Sequence, residues 1–229
     1  MTHKWGAVIV AAGRGTRMGT AERKQFLHLQ DKPVIVHTLE RFENMDAIAE
    51  IVLVVSQEDV ERCEAWVQQY SLSKLKAVVA GGAERQDSVY IGLQSLDCEW
   101  VMIHDGVRPL VTSKAVQRCC SAALQSGAAV LAVPVKDTIK QVDESGVIVA
   151  TPDRSSLWAI QTPQAFRRAL LLEAHERALA DGFVGTDDAM AVERIGVPVV
   201  VAEGEYTNLK ITTPEDLPLA EFWLGRELN

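Results

Sequence analysis

No run of apolar residues in this 229-residue chain approaches the roughly 20 needed to cross a bilayer, so no membrane span and no membrane partner are expected. Cysteine is scarce. Cys63, Cys98, Cys119 and Cys120 form no C-x-x-C pair, which argues against a zinc ribbon or a disulfide framework and for buried, reduced thiols. Basic residues are in deficit, 23 Lys and Arg against 31 Asp and Glu, for a formal net charge of −8. Nucleic-acid binding leans on a basic face, so no nucleic-acid partner is expected. No signal-peptide pattern is seen, because Met1-Thr2-His3-Lys4-Trp5 runs straight into an apolar segment, and a cytoplasmic location follows as an expectation. Repeats, low-complexity tracts and a linker are missing too. With 48% hydrophobic and 24% charged residues, the chain reads as one domain over residues 1–229 with a substantial core.

Strand-like and helix-like segments alternate almost throughout. Short apolar runs end at Val10, at Val55, at Ala80 and at His104, and another covers Ala128 to Val133. Between them, helices are expected at Pro33–Phe42, Asp59–Gln69, Arg85–Leu96 and from the Thr112-Ser113 cap to Gln125, with Gly127 as the stop. Further helices are expected at Pro163–Ala180 and Asp187–Arg194, then a strand at Val197–Ala202, and a last helix opened by Thr213-Pro214-Glu215-Asp216. This alternation implies an α/β fold, a Rossmann-like and mostly parallel sheet with helices on both faces. Ligands of such sheets bind beyond the carboxyl ends of the strands. The pattern breaks at about 136–161, where Lys140-Gln141-Val142 and Val147-Ile148-Val149 flank Asp143-Glu144-Ser145-Gly146 and read as a β-hairpin. The hairpin is either a projecting arm to a partner, homodimerisation being the commonest case, or a plain surface excursion.

Three strand ends carry residues with chemistry. The first apolar run stops at Ala11-Ala12-Gly13-Arg14-Gly15-Thr16-Arg17-Met18-Gly19, followed by Arg23-Lys24-Gln25. Glycines let backbone N–H groups approach an anion, and the crowded cations repel one another unless an anion or solvent compensates. The loop is neither a Walker A sequence nor G-x-G-x-x-G. A nicotinamide-dependent reductase is disfavoured: Tyr70 and Lys74 form a Tyr-x-x-x-Lys pair too early in the chain, and no acidic residue ends the second strand. Gly81-Gly82 and Ser88 form the second cluster, suited to reading the edge of a base or, more simply, to turning a strand into a helix. Asp105 and Arg108 form the third. A carboxylate at a strand's end suits Mg²⁺ shared with phosphate, and the guanidinium suits a second phosphate. His104 reads as a packed strand residue, and His175 and Trp158 as packing or surface residues.

Together with Lys136-Asp137-Thr138, Thr162-Pro163-Gln164, Thr186-Asp187-Asp188-Ala189 and Asn208-Leu209-Lys210, these clusters closely resemble the 2-C-methyl-D-erythritol 4-phosphate cytidylyltransferase family over nearly the whole chain. The resemblance implies a nucleotidyltransferase that joins CTP to 2-C-methyl-D-erythritol 4-phosphate with release of pyrophosphate, uses Mg²⁺, and forms a homodimer through the β-arm. Carried over by position, Arg17, Lys24 and Lys210 are the catalytic cations around the α-phosphate. Ala11, Ala12, Gly13 and Gly15 hold the triphosphate, and Gly81, Gly82 and Ser88 read the cytosine. Asp105 sits near the ribose and the metal, while Arg108, Thr138 and Arg154 address the substrate, the last two in the neighbouring subunit's site.

Three positions depart from the family's pattern. Arg23 stands where Pro is frequent before the catalytic Lys, Thr16 replaces a second basic residue, and Ala83 occupies a position acidic in some relatives. Two other readings stay open at the level of sequence: a cytidylyltransferase for another polyol phosphate such as ribitol 5-phosphate, and a catalytically silent nucleotide-binding regulator. Retention of Arg17, Lys24 and Lys210 together argues against the second.

Overall fold

Side chains that alternate between two buried faces define the central sheet. The computed structural model describes residues 3–13 and 22–227. In chain order these form β1 (Trp5–Val10), the short pair β2 (His28–Leu29) and β3 (Lys32–Pro33), α1 (Val34–Glu43), β4 (Ile48–Val55), α2 (Val60–Gln69), β5 (Leu75–Ala80), α3 (Arg85–Gln94) and β6 (Trp100–Asp105). There follow α4 (Ser113–Ser126), β7 (Ala128–Pro134), β8 (Gln141–Val142), β9 (Ile148–Ala150), β10 (Trp158–Arg167), α5 (Arg168–Ala180), α6 (Asp188–Arg194), β11 (Val200–Glu203) and α7 (Asp216–Glu227).

Seven strands make one sheet in the order β11-β7-β10-β6-β1-β4-β5. The pairs β1–β4, β1–β6, β4–β5 and β7–β11 are parallel, and β10 runs antiparallel to both β6 and β7. Ala7 and Ile9 of β1, with Leu53 and Val55 of β4, face one core that includes Phe42 of α1, Trp66 of α2 and Cys119 of α4. Val8, Val52 and Val54 face the other, against Val89 and Leu93 of α3, Leu171 of α5 and Val192 of α6. Near-continuous burial is what a parallel sheet covered on both sides requires. The α/β class read from the sequence is therefore the architecture observed. Among the described residues no helix is long and apolar enough to cross a membrane.

One element corrects the sequence reading. The helix expected at Pro163–Ala180 begins only at Arg168; residues 158–167 are the antiparallel strand β10. Thr162-Pro163 mimics a helix cap followed by a first-turn proline. Yet Gln161 to Phe166 are buried, and hydrogen bonds to β6 and β7 fix them as strand. The pairing with β7 is irregular between Ile160 and Gln164, which accommodates the missing N–H of Pro163. The hairpin β8–β9 is present as a separate two-stranded sheet. Gly146 takes φ +83° in its turn, and the Asp143 carboxylate accepts from the N–H groups of Ser145 and Val147.

Helix α3 lies close over the sheet because Gly92 has no side chain. A Cβ there would come within 2.5 Å of Val8 Cγ1 and 2.9 Å of Val54 Cγ2. Gly92→Ala is predicted to cost about 1–3 kcal/mol by overpacking, read as a lower urea midpoint with an unchanged slope. A wild-type midpoint would refute the tight packing of α3 on β1 and β4.

Candidate active site

The carboxyl ends of β1, β5 and β6 open into a cavity of about 190 Å³. Its wall includes Ala11, Ala12 and Gly13 after β1, Gly82 after β5, Ser88 of α3 and Asp105 at the end of β6, together with Lys24 and Lys210. Eight of the sequence-predicted site residues thus meet around one space although they span almost 200 positions of chain. Arg17 and Gly15 lie outside the described residues. Gly81 sits just behind the wall, where a Cβ would come within 2.5 Å of Ser88 Oγ and 2.8 Å of Ala12 Cβ. Thr138 and Arg154 do not line this cavity; both are exposed on the segment that carries the hairpin, where Arg154 donates to the Lys136 carbonyl at 2.8 Å.

Asp105 is the electrostatic centre. Its side chain is 10% exposed, with Lys210 Nζ at 2.8 Å and Arg108 Nε at 3.7 Å from Oδ2, and Arg85 Nε at 3.5 Å from Oδ1. Burial alone would raise its pKa, but Arg85, Lys210 and Arg108 outweigh that and hold it well below the usual carboxylate range. Arg108 stands behind the carboxylate rather than in the cavity. It is buried, and it donates to the Asn208 carbonyl at 2.7 Å. Burial lowers its own pKa, against the pull of Asp105.

Local contacts hold each wall in place. Gln25 is buried and its Nε2 donates to the carbonyls of Ala11, at 2.7 Å, and Gly13, at 3.2 Å, fixing the end of β1 against the turn that carries Lys24. Arg23, in place of the family's frequent proline, pairs with Glu58 and Asp59 and donates to the Ser56 hydroxyl. It thereby ties the residue before Lys24 to the connection between β4 and α2. Ser88 Oγ accepts from the Gly82 N–H at 3.2 Å and donates to the Glu84 carbonyl at 3.1 Å, so the hydroxyl braces the strand-to-helix turn.

Lys210 is bracketed by two anchors. The buried Asn208 donates to Gln161 Oε1 at 3.2 Å and to the Thr162 carbonyl at 2.9 Å, and the Ile211 N–H donates to the Val107 carbonyl at 2.9 Å. Arg85, Gln25, Gln164 and Asn208 stood inside recognisable motifs but received no role from sequence, because their partners are distant in the chain.

His104 has no access to the cavity. Fully buried, it donates from Nε2 to the Arg108 carbonyl at 3.1 Å and accepts at Nδ1 from the Thr162 hydroxyl at 3.0 Å. Among the described residues no group of three or more His, Cys, Asp or Glu side chains converges as a metal cage. The site is therefore built of backbone donors, cations and one buried carboxylate. That composition suits a polyphosphate and offers no enclosed general base.

The family model of 2-C-methyl-D-erythritol 4-phosphate cytidylyltransferase, IspD, matches residues 6–226. The chain belongs to this family. It is 49% identical over 223 residues to the 2-C-methyl-D-erythritol 4-phosphate cytidylyltransferase of Caldanaerobacter subterraneus subsp. tengcongensis, covering 96% of this chain and 98% of that protein. It is 50% identical over 218 residues to the enzyme of that name from Bacillus anthracis, covering 95% and 96%. The crystal structure of 4-diphosphocytidyl-2C-methyl-D-erythritol synthase from Anaerococcus prevotii superposes with a TM-score of 0.85 at 33% identity, over 98% of this chain and 97% of that one. The IspD fold is thus the fold observed here.

Burial lowers the His104 pKa to about 4. A lowered histidine favours the neutral folded state: the stability it supports is complete above the ordinary value near 6.5 and is lost as pH falls from there towards 4, by up to about 1.4 kcal/mol per unit. His104→Asn is predicted to flatten that part of the profile in urea unfolding between about pH 4.5 and 7. An identical slope in the variant would contradict the assignment.

Proposed function

We propose that this IspD protein transfers the cytidylyl group of CTP to 2-C-methyl-D-erythritol 4-phosphate, giving 4-diphosphocytidyl-2-C-methyl-D-erythritol and pyrophosphate. One observation carries the reading: Lys24, Lys210 and the Ala11 to Gly13 stretch line the same cavity as Gly82 and Ser88. In the reaction an oxygen of the acceptor's phosphate attacks the α-phosphorus of CTP, and the bond from that phosphorus to the pyrophosphate oxygen breaks. Two anions must meet. Lys24 and Lys210 offset their repulsion and stabilise the charge that builds on the α-phosphoryl oxygens. From its place in the sequence, Arg17 is assigned the same task. The attacking phosphate is already ionised near neutral pH, its second pKa being about 6, so no side-chain base is needed.

The donor set suits Mg²⁺ that arrives with the triphosphate. A hard cation of this kind takes one or two carboxylates and completes its shell with phosphate oxygens and water. Asp105 is the buried carboxylate of the wall, and both its oxygens are already shared with cations. Asp105 is the carboxylate that would hold such a metal, which would supply neutralisation of triphosphate charge and so make pyrophosphate a better leaving group.

We further propose that the segment around β8 and β9 is a dimerisation arm that delivers Thr138 and Arg154 to the acceptor's phosphate in a second subunit. Supporting this, residues 136–156 are exposed throughout, and the apolar side chains of Ile139, Val142, Val147, Ile148 and Val149 stand in solvent together. A patch of that kind marks an association surface. Cys63, Cys98, Cys119 and Cys120 are all free. Burial raises the thiol pKa of Cys63 and Cys120 to about 12, so these groups stay protonated and inert. Free thiols suit a reducing compartment, and we place the protein in the cytoplasm.

Pyrophosphate release from CTP, Mg²⁺ and the methylerythritol phosphate tests the reaction, with ribitol 5-phosphate as the contrasting acceptor. Turnover of the ribitol phosphate alone would overturn the choice of acceptor. Lys24→Ala and Lys210→Ala are each predicted to lower kcat by about 10²–10³-fold with the circular dichroism spectrum unchanged. A near-normal rate would remove the residue from the mechanism. Arg154→Ala should raise the acceptor KM by about tenfold or more, the loss of one hydrogen bond to a charged group, and leave the CTP KM alone. An unchanged acceptor KM would count against delivery by the arm.

A further inference from the structure

The Thr186-Asp187-Asp188 stretch holds buried charge that the reaction above does not use. Asp187 caps α6, its Oδ1 accepting from the Met190 N–H at 2.9 Å. Asp188 turns inward and its side chain is only 1% exposed. Its Oδ2 accepts from Arg85 at 2.8 Å, and its Oδ1 lies 3.3 Å from Nε2 of the equally buried His175. The Gln164 side chain fixes the backbone beneath it, accepting from the N–H groups of Asp188 at 3.1 Å and Ala189 at 3.0 Å. A carboxylate so deep is unfavourable unless a charge compensates it, and here Arg85 does.

Arg85 reaches the other way as well. Its Nε lies 3.5 Å from Asp105 Oδ1, and Asp105 Oδ2 lies 2.8 Å from Lys210 Nζ. Charges of alternating sign therefore run from the interior to the cavity wall: Asp188, Arg85, Asp105, Lys210. We propose that Asp188 is a positioning residue for the nucleotide site, holding Arg85 back so that Asp105 keeps one oxygen for Lys210. A guanidinium prefers to close on a carboxylate with two parallel hydrogen bonds. Anchored to Asp188, Arg85 presents only one edge to Asp105, and at a distance longer than a hydrogen bond. Released, it would take both oxygens of Asp105 and displace the ammonium that this carboxylate orients. The inference rests on the reading of Lys210 as a cation of the α-phosphate.

The test is a double-mutant cycle on the full-length protein with CTP and the methylerythritol phosphate, each variant checked by circular dichroism and thermal melting. Asp188→Asn is expected to lower kcat by about 10–10²-fold, the effect of a misplaced catalytic group, with the acceptor KM unchanged. In the Lys210→Ala background the same substitution should cost less than about twofold, because the group it positions is already gone. An equal loss in both backgrounds, or no loss in the folded single variant, overturns the proposal. Should Asp188→Asn fail to fold, Arg85→Lys runs the same cycle. Its side chain is 29% exposed, and a lysine lacks the fork that spans two carboxylates. A wild-type rate for Lys210→Ala itself would sink the reading of the site, whereas a slow Lys210→Ala beside a wild-type Asp188→Asn sinks the positioning role alone.

Discussion

A carboxylate taken out of water at the end of β6 sets the terms for the rest of the site. Asp105 cannot remain ionised there without cations, and the cations cannot lie so close together without it. Arg85 comes from α3, Arg108 from the turn after β6, and Lys210 from the loop between β11 and α7. One buried charge thus draws three separate elements to the open end of the sheet. The positive surplus that remains suits an anionic ligand.

The same end of the sheet is tied together by neutral groups. The Thr162 hydroxyl accepts from the Asp105 N–H at 3.0 Å and meets His104 on its other side. Asn208, two residues before Lys210, hangs from Gln161 and Thr162. Strand β10 therefore serves the chemistry although none of its side chains lines the cavity. Polar groups paired across strands in this way favour a single arrangement, which is what a reaction between two anions demands of its cations.

Much of this was legible in the chain. The βα alternation showed in short apolar runs and capped helices, and residues of the three clusters that follow β1, β5 and β6 do meet around one cavity. Two things were hidden. Thr162-Pro163 carries the local signs of a helix start, and only pairing with β6 and β7 makes it strand. The roles of Arg85, Asn208 and Asp188 were hidden for a related reason, since Arg85 meets a partner 103 residues away and Asn208 one 46 residues away. Local pattern names such residues as polar. It does not say to what they are bound.

The antiparallel strand also has a consequence for synthesis on the ribosome. β10 fills the place between β6 and β7, so an interior position of the sheet is filled late, with only the edge strand β11 still to follow. About 50 residues separate the end of β6 from the start of β10. At about 5–20 residues per second, the nascent chain spends a few seconds with the inner edge of β6 bare. An apolar strand with unmade hydrogen bonds is a template for a neighbouring chain. The interval between those two strands is therefore when a growing polypeptide of this topology most needs shielding, by the ribosome's surface or by a chaperone.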